Sequence, residues 1–121
     1  MKGRDRAGLA KQEILRGKRN FEYLFQEGRK HRAPCLNFTF AENGLTYNRI
    51  APLVSNRFGN SVFRNYVRRA IKEIYRRHKM ELRTGYDICI LLNDRQFESR
   101  SFADKRRLVM NGLKKVTDQS R

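Results

Sequence analysis

The stretch Gly59 to Lys79, GNSVFRNYVRRAIKEIYRRHK, decides how the rest of this 121-residue chain is read. At about 100° per residue, Val67, Ala70, Ile71 and Ile74, led by Phe63, fall in one stripe, the pattern of a helix packed along one side. The spacing predicts a helix from about Asn60 to Leu82, ended by Gly85. Arg64, Asn65, Arg68, Arg69, Lys72 and Arg76 occupy most of the opposite face. With Arg77 and Lys79, these cations meet a single acid, Glu73. Exposed helices usually mix signs, because a glutamate four residues before a lysine stabilises by about 0.2–0.5 kcal/mol. Like charges on adjacent turns do the reverse, and the cost makes sense where phosphates later fill the gaps. Arginine predominates over lysine, which favours forked contacts with phosphates and base edges.

On the N-terminal side, Asn56-Arg57-Phe58-Gly59 breaks the pattern between this helix and an extended stretch, Leu45 to Ser55. Pro52 lies within that stretch and cannot donate to a ladder, so it is expected on a sheet edge or facing an unpaired side. Asn43-Gly44 marks a tight turn, with Leu45 to Ser55 running back along a strand in which Leu36, Phe38 and Phe40 alternate with Asn37 and Thr39. Earlier still, Phe21, Leu24 and Phe25 recur at helical spacing. Asn20 is placed to cap that helix, and Gly28 to stop it with a left-handed backbone. Residues 1–17 are basic and polar and read as a mobile arm. On the C-terminal side, Ile88 to Leu92 is apolar on both faces and suits a strand buried between layers. Ser101, three residues before Asp104, opens a last helix through Phe102, Val109, Leu113 and Val116. The fold class is therefore α+β, an α/β sandwich: a small mixed sheet of about four strands with three helices, in the order helix, strand, strand, helix, strand, helix. Residues 18–121 are expected to form a single domain, and the cation row of its long helix makes RNA binding its expected task.

The composition agrees. The chain has 28 Lys and Arg against 12 Asp and Glu, a net charge of +16, and 39% hydrophobic residues. It can fold, and it needs a polyanion to offset its self-repulsion, which makes nucleic acid the expected partner. No apolar run is long enough to cross a membrane, and Met1 to Asn20 lacks the apolar middle of a secretory signal, so a soluble, cytoplasmic protein is expected. Cys35 and Cys89 each sit inside an apolar run, far apart, and read as buried thiols. With His31 and His78 they make no zinc spacing. Asp87, Asp94, Glu98 and Asp104 form no triad or metal pair, so neither a catalytic residue nor a metal site is expected. Asp87 reads as a strand-end residue and Asp104 as a helix-start charge.

From Val54 to Arg77 the sequence resembles the signature of the bacterial ribonuclease P protein subunit. Asn56-Arg57-Phe58-Gly59-Asn60-Ser61-Val62 leads into Arg64-Asn65-Tyr66-Val67-Arg68-Arg69-Ala70-Ile71-Lys72-Glu73, and the flanking elements follow in the family's order over nearly the whole chain. One signature position, usually Arg, is Tyr66. The resemblance implies a left-handed crossover between parallel strands, against the common right-handed rule. It also implies a protein that binds a catalytic RNA and the 5′ leader of precursor tRNA. In that family the RNA cleaves the leader and magnesium is bound mainly by the RNA. Arg57, Arg64, Asn65, Arg68, Arg69 and Lys72 are then the expected contacts to the catalytic RNA. The leader would lie in a cleft with Phe21 and Phe25 on one wall and Phe38 or Phe40 on the other, Tyr47 being a weaker candidate. No membrane and no obligate protein partner are implied. Two alternatives from other classes are a generic basic RNA-binding or ribosomal protein and a metal-dependent nuclease built on Asp87, Asp94 or Glu98.

Overall fold

The computed structural model describes residues 9–118. Helix α1 (Lys18–Glu27) leads into strands β1 (Arg29–Arg32), β2 (Leu36–Glu42) and β3 (Arg49–Leu53). Helix α2 (Ser61–His78), strand β4 (Tyr86–Leu92) and helix α3 (Phe102–Thr117) follow. The sheet order is β1-β2-β4-β3, with β4 antiparallel to β2 and parallel to β3. The run apolar on both faces thus has a strand on either side and a layer above and below, as its composition predicts. Among the described residues no helix is long and apolar enough to cross a membrane.

The two-residue period of the strands gives each face of the sheet its own core. On one face Leu36, Phe38 and Phe40 meet Ile88, Ile90 and Ile50 and are covered by Val67, Ile71 and Ile74 of α2 and Val109, Leu113 and Val116 of α3. On the other, Ala51 and Cys89 pack with Leu24 of α1 and Leu15. Both cysteines are buried, as expected, and burial pushes the Cys89 thiol up to about 12.

Several local expectations are corrected. Strand β1, Arg-Lys-His-Arg, has no apolar residue to announce it, since it is an exposed charged edge. It makes the hairpin with β2, through a turn in which Cys35 takes a positive φ of 69°. Asn43-Gly44 instead begins a loop that carries the chain past β4. There the Asn43 side chain accepts from the Leu45 N–H (2.8 Å), and β3 does not pair with β2. Helix α1 starts after Gly17, one turn before the expected cap, and the Asn20 amide donates to the Arg16 carbonyl. Gly28 has φ −76°, so it is needed for space: a Cβ there would lie 2.4 Å from the Leu24 carbonyl and 3.1 Å from that of Phe40.

Of the stretch expected to be a mobile arm, residues 1–8 lie outside the described residues. From Leu9 the chain is seated. The Leu15 N–H donates to the Ile50 carbonyl along the free edge of β3, its side chain is buried, and Glu13 accepts both 2.8 and 3.0 Å bonds from Lys79. Pro52, two residues beyond Ile50, offers no N–H, and its place on an edge strand is as expected. Helix α2 is capped by Asn60, which accepts from the Phe63 N–H (2.9 Å). Helix α3 is capped by Ser101, which accepts from the Asp104 N–H (3.1 Å). Phe102, expected on the apolar side of α3, is exposed.

Helix α3 closes over Phe38 only because residue 112 is glycine. A Cβ there would stand 2.2 Å from two atoms of that fully buried ring. Alanine would gain about 1 kcal/mol of helix propensity but overpack the core by about 1–3 kcal/mol or more. An overlap this close puts the cost at the upper end, so Gly112→Ala is expected to lower stability by about 2 kcal/mol in urea unfolding, and an unchanged midpoint would contradict this account of the α3 contact.

Candidate RNA-binding surface

Val67, Ile71 and Ile74 are buried as the wheel predicts, and Tyr75 joins them. Its burial, the first cause, raises the phenol to about 12. This fourth member widens the buried sector toward Arg64 and Arg68. These two are half-buried on its rim and do not lie on the opposite face. Arg69 and Asn65 are exposed and Lys72 is half-buried. Arg64 reaches back 3.4 Å to the Gly59 carbonyl, and Arg68 donates to the Asn65 side chain.

Ion pairing divides the helix in two. Near its C-terminus Arg76 donates to both Glu73 oxygens (3.0 and 2.7 Å) and Arg77 adds a 2.6 Å bond, which together hold the Glu73 carboxyl at about 2. Arg76 is therefore spoken for, contrary to its expected place in the cation row. Lys79 is held by Glu13. Toward the N-terminus, Arg57, Arg64, Arg68, Arg69 and Lys72 have no carboxylate within ion-pair distance among the described residues. The loop before the helix is shaped by a residue that sequence reading missed. Arg95, after β4, donates to the Phe58 carbonyl and lies 4.3 Å over the Phe63 ring, while Arg57 lies 4.6 Å over Phe58. No local pattern marks Arg95, because its partners are more than thirty residues away.

The opposite side of the sheet carries a second surface. Phe21 and Phe25 of α1 stack at 6.1 Å, Phe21 half-buried and Phe25 48% exposed. Phe38 and Phe40 do not face them: they share the parity of Leu36 and are buried under α3 and α2. The residues of the other parity, Asn37, Thr39, Leu53 and Leu91, take that place, and Leu91 is 40% exposed. Lys30 and Arg32 pair with Thr39 and Asn37 and so share this face. Their place follows from the register of β1 against β2, and no local pattern in the sequence marks that register. Tyr47 lies apart, with Lys11, Arg16, Asn20 and Arg49 around a groove of about 720 Å³. Asp87 is gripped by the Arg49 fork (2.8 and 2.7 Å) and by Asn43 (2.9 Å), and Asp94 accepts from the Gln96 N–H. Among the described residues no three His, Cys, Asp or Glu side chains come together.

Residues 9–117 match the model of the family described as Ribonuclease P. The chain belongs to the ribonuclease P protein family. It is 32% identical over 111 residues to the ribonuclease P protein component of Thermotoga maritima, covering 89% of this chain and 95% of that one. To the component of Petrotoga mobilis it is 41% identical over 81 residues, 67% and 69% of the two chains. The solved structure of the Thermotoga maritima RNase P protein superimposes with a TM-score of 0.79 at 32% identity, over 85% of this chain and 96% of the other. As a ribonuclease P protein component the chain is an RNA-binding part of a tRNA-processing ribonuclease, which sets aside an unrelated ribosomal module.

Glu73 has a lower affinity for its proton when folded than its ordinary value of 4.5. Its contribution to stability is therefore complete above that value and lost as pH falls toward about 2. Glu73→Gln is expected to flatten the fall of the melting temperature across this acid window. Superimposable pH profiles for the two proteins would contradict the pairing.

Proposed function

We propose that this chain binds the catalytic RNA of ribonuclease P along the first turns of α2 and the 5′ leader of precursor tRNA between α1 and the sheet. It thereby assists magnesium-dependent removal of the leader in the cytoplasm. The observation that carries the reading is the division of charge on α2. The cations at its C-terminal end, Arg76 and Arg77, and Lys79 just beyond it are neutralised by the protein's own carboxylates, whereas Arg57, Arg64, Arg68, Arg69 and Lys72, with no carboxylate partner among the described residues, keep their charge for another molecule. Phosphates are the anions that such forked and point cations suit. Asn65, holding Arg68, positions that guanidinium.

The second surface suits single-stranded RNA. A stacked pair of phenyl rings, Phe25 exposed and Phe21 half-buried, offers a platform to unpaired bases, each worth about 1–3 kcal/mol without demanding sequence. Lys30 and Arg32 lie on the same face for the backbone. Because the two surfaces lie on opposite faces of one sheet, the protein can hold the leader while seated on the RNA.

The chemistry belongs to the RNA. Magnesium, carried mainly there, would activate the attacking water. Asp87, one of the carboxylates a self-sufficient nuclease would draw on, is occupied by Arg49, which disfavours that alternative. No further protein is required by this reading. At low magnesium, adding the protein to its catalytic RNA is expected to restore cleavage of precursor tRNA at the mature 5′ end, and prior treatment with a nuclease that degrades the RNA is expected to abolish it. No stimulation, or cleavage by the protein free of RNA, would overturn the proposal.

A further inference from the structure

Tyr66 is 53% exposed on α2, and its one ring or cation partner among the described residues is Lys105 of α3, whose ammonium lies 5.2 Å from the ring centroid. Lys105 itself is unusual. It is 6% exposed, with no carboxylate in ion-pair distance among the described residues, and it stands in the first turn of α3, where the helix dipole disfavours a cation. Stability of α3 does not account for it. What the pair does is back one face of a surface ring with a fixed positive charge and leave most of the ring in water. One turn on, at the spacing that makes helix neighbours, stands Arg69, exposed and with no carboxylate partner among the described residues; one turn back stands Val62, exposed. A phosphate contact alone would need only the cations, whereas a ring backed by a cation and bordered by another suits a flat, electron-rich partner whose backbone is anionic.

We infer that Tyr66, held by Lys105, stacks on an unpaired base of the catalytic RNA at the rim of the α2 cation row. This rests on the RNA-binding reading of α2. The leader is not the partner, because its surface lies across the sheet, against α1.

The contact separates from its neighbours by salt dependence, since stacking displaces no counterions and a phosphate contact does. With the full chain and its catalytic RNA, Tyr66→Leu is expected to lower affinity about fivefold or more, the lower end for one stacked base. Tyr66→Phe is expected to keep it within about twofold. Neither should change the slope of log affinity against log salt, whereas Arg69→Ala should reduce that slope by about 0.7–0.9. The chain has no tryptophan, so Tyr66→Trp carries a sole indole whose emission should be quenched by the RNA. Melting temperatures check that each variant is folded. Wild-type affinity in Tyr66→Leu, a loss accompanied by a changed slope, or an indole unaffected by RNA would overturn the stacking contact alone, provided Arg69→Ala changes the slope. Failure of the wild-type chain to bind the RNA would overturn the α2 reading and this inference with it.

Discussion

Val67, Ile71, Ile74 and Tyr75 hold α2 against the sheet, and that seat fixes where every cation of the helix points. Burying side chains of this size stabilises by about 1.5–3 kcal/mol each, against a few tenths of a kcal/mol lost for each pair of like charges one turn apart. Packing therefore wins easily over repulsion, and the helix can carry charge that its own environment does not neutralise. Toward the C-terminal end of the helix the charge is cancelled: Glu73 takes Arg76 and Arg77, and Glu13 takes Lys79. What remains is a row from Arg57 to Lys72 with no carboxylate across from it among the described residues.

The same sheet separates two surfaces. Because β4 is central and apolar on both sides, one face can take α2 and α3 while the other takes α1 and the Leu15 segment. The aromatic strand residues go to the thicker core, and the shallower face keeps small and polar groups, which leaves room beside Phe21 and Phe25. The Arg49–Asp87 fork closes the end of that face and holds β3 to β4.

Much of this was legible in the sequence. The start and stripe of α2, the buried β4, the edge position of Pro52 and the Ser101 cap follow from local spacing and chemistry, whereas α2 ends at His78, short of the expected Leu82, and gives way to a separate turn over Lys79–Glu81. What was illegible depended on partners distant in sequence. Strand β1 has no apolar residue, so nothing local distinguishes it from a loop. Tyr75 looks like one more amphipathic residue until Asn48 and the sheet enclose it. Phe38 and Phe40 were legible as strand residues but not as to side, because alternation gives a parity and only the packing of Gly112 over Phe38 says which parity is the deeper core. The segment before Gly17 looked free because its anchors, Lys79 and Ile50, lie far along the chain.

The division of charge on α2 is tested most directly by the salt dependence of catalytic-RNA binding. If the five unpaired side chains each meet a phosphate, log affinity should fall against log salt with a slope of about −3.5 to −4.5, a loss of about two orders of magnitude or more between 50 and 200 mM. A slope near zero would mean that these cations are solvated surface and that the protein holds its RNA by other means.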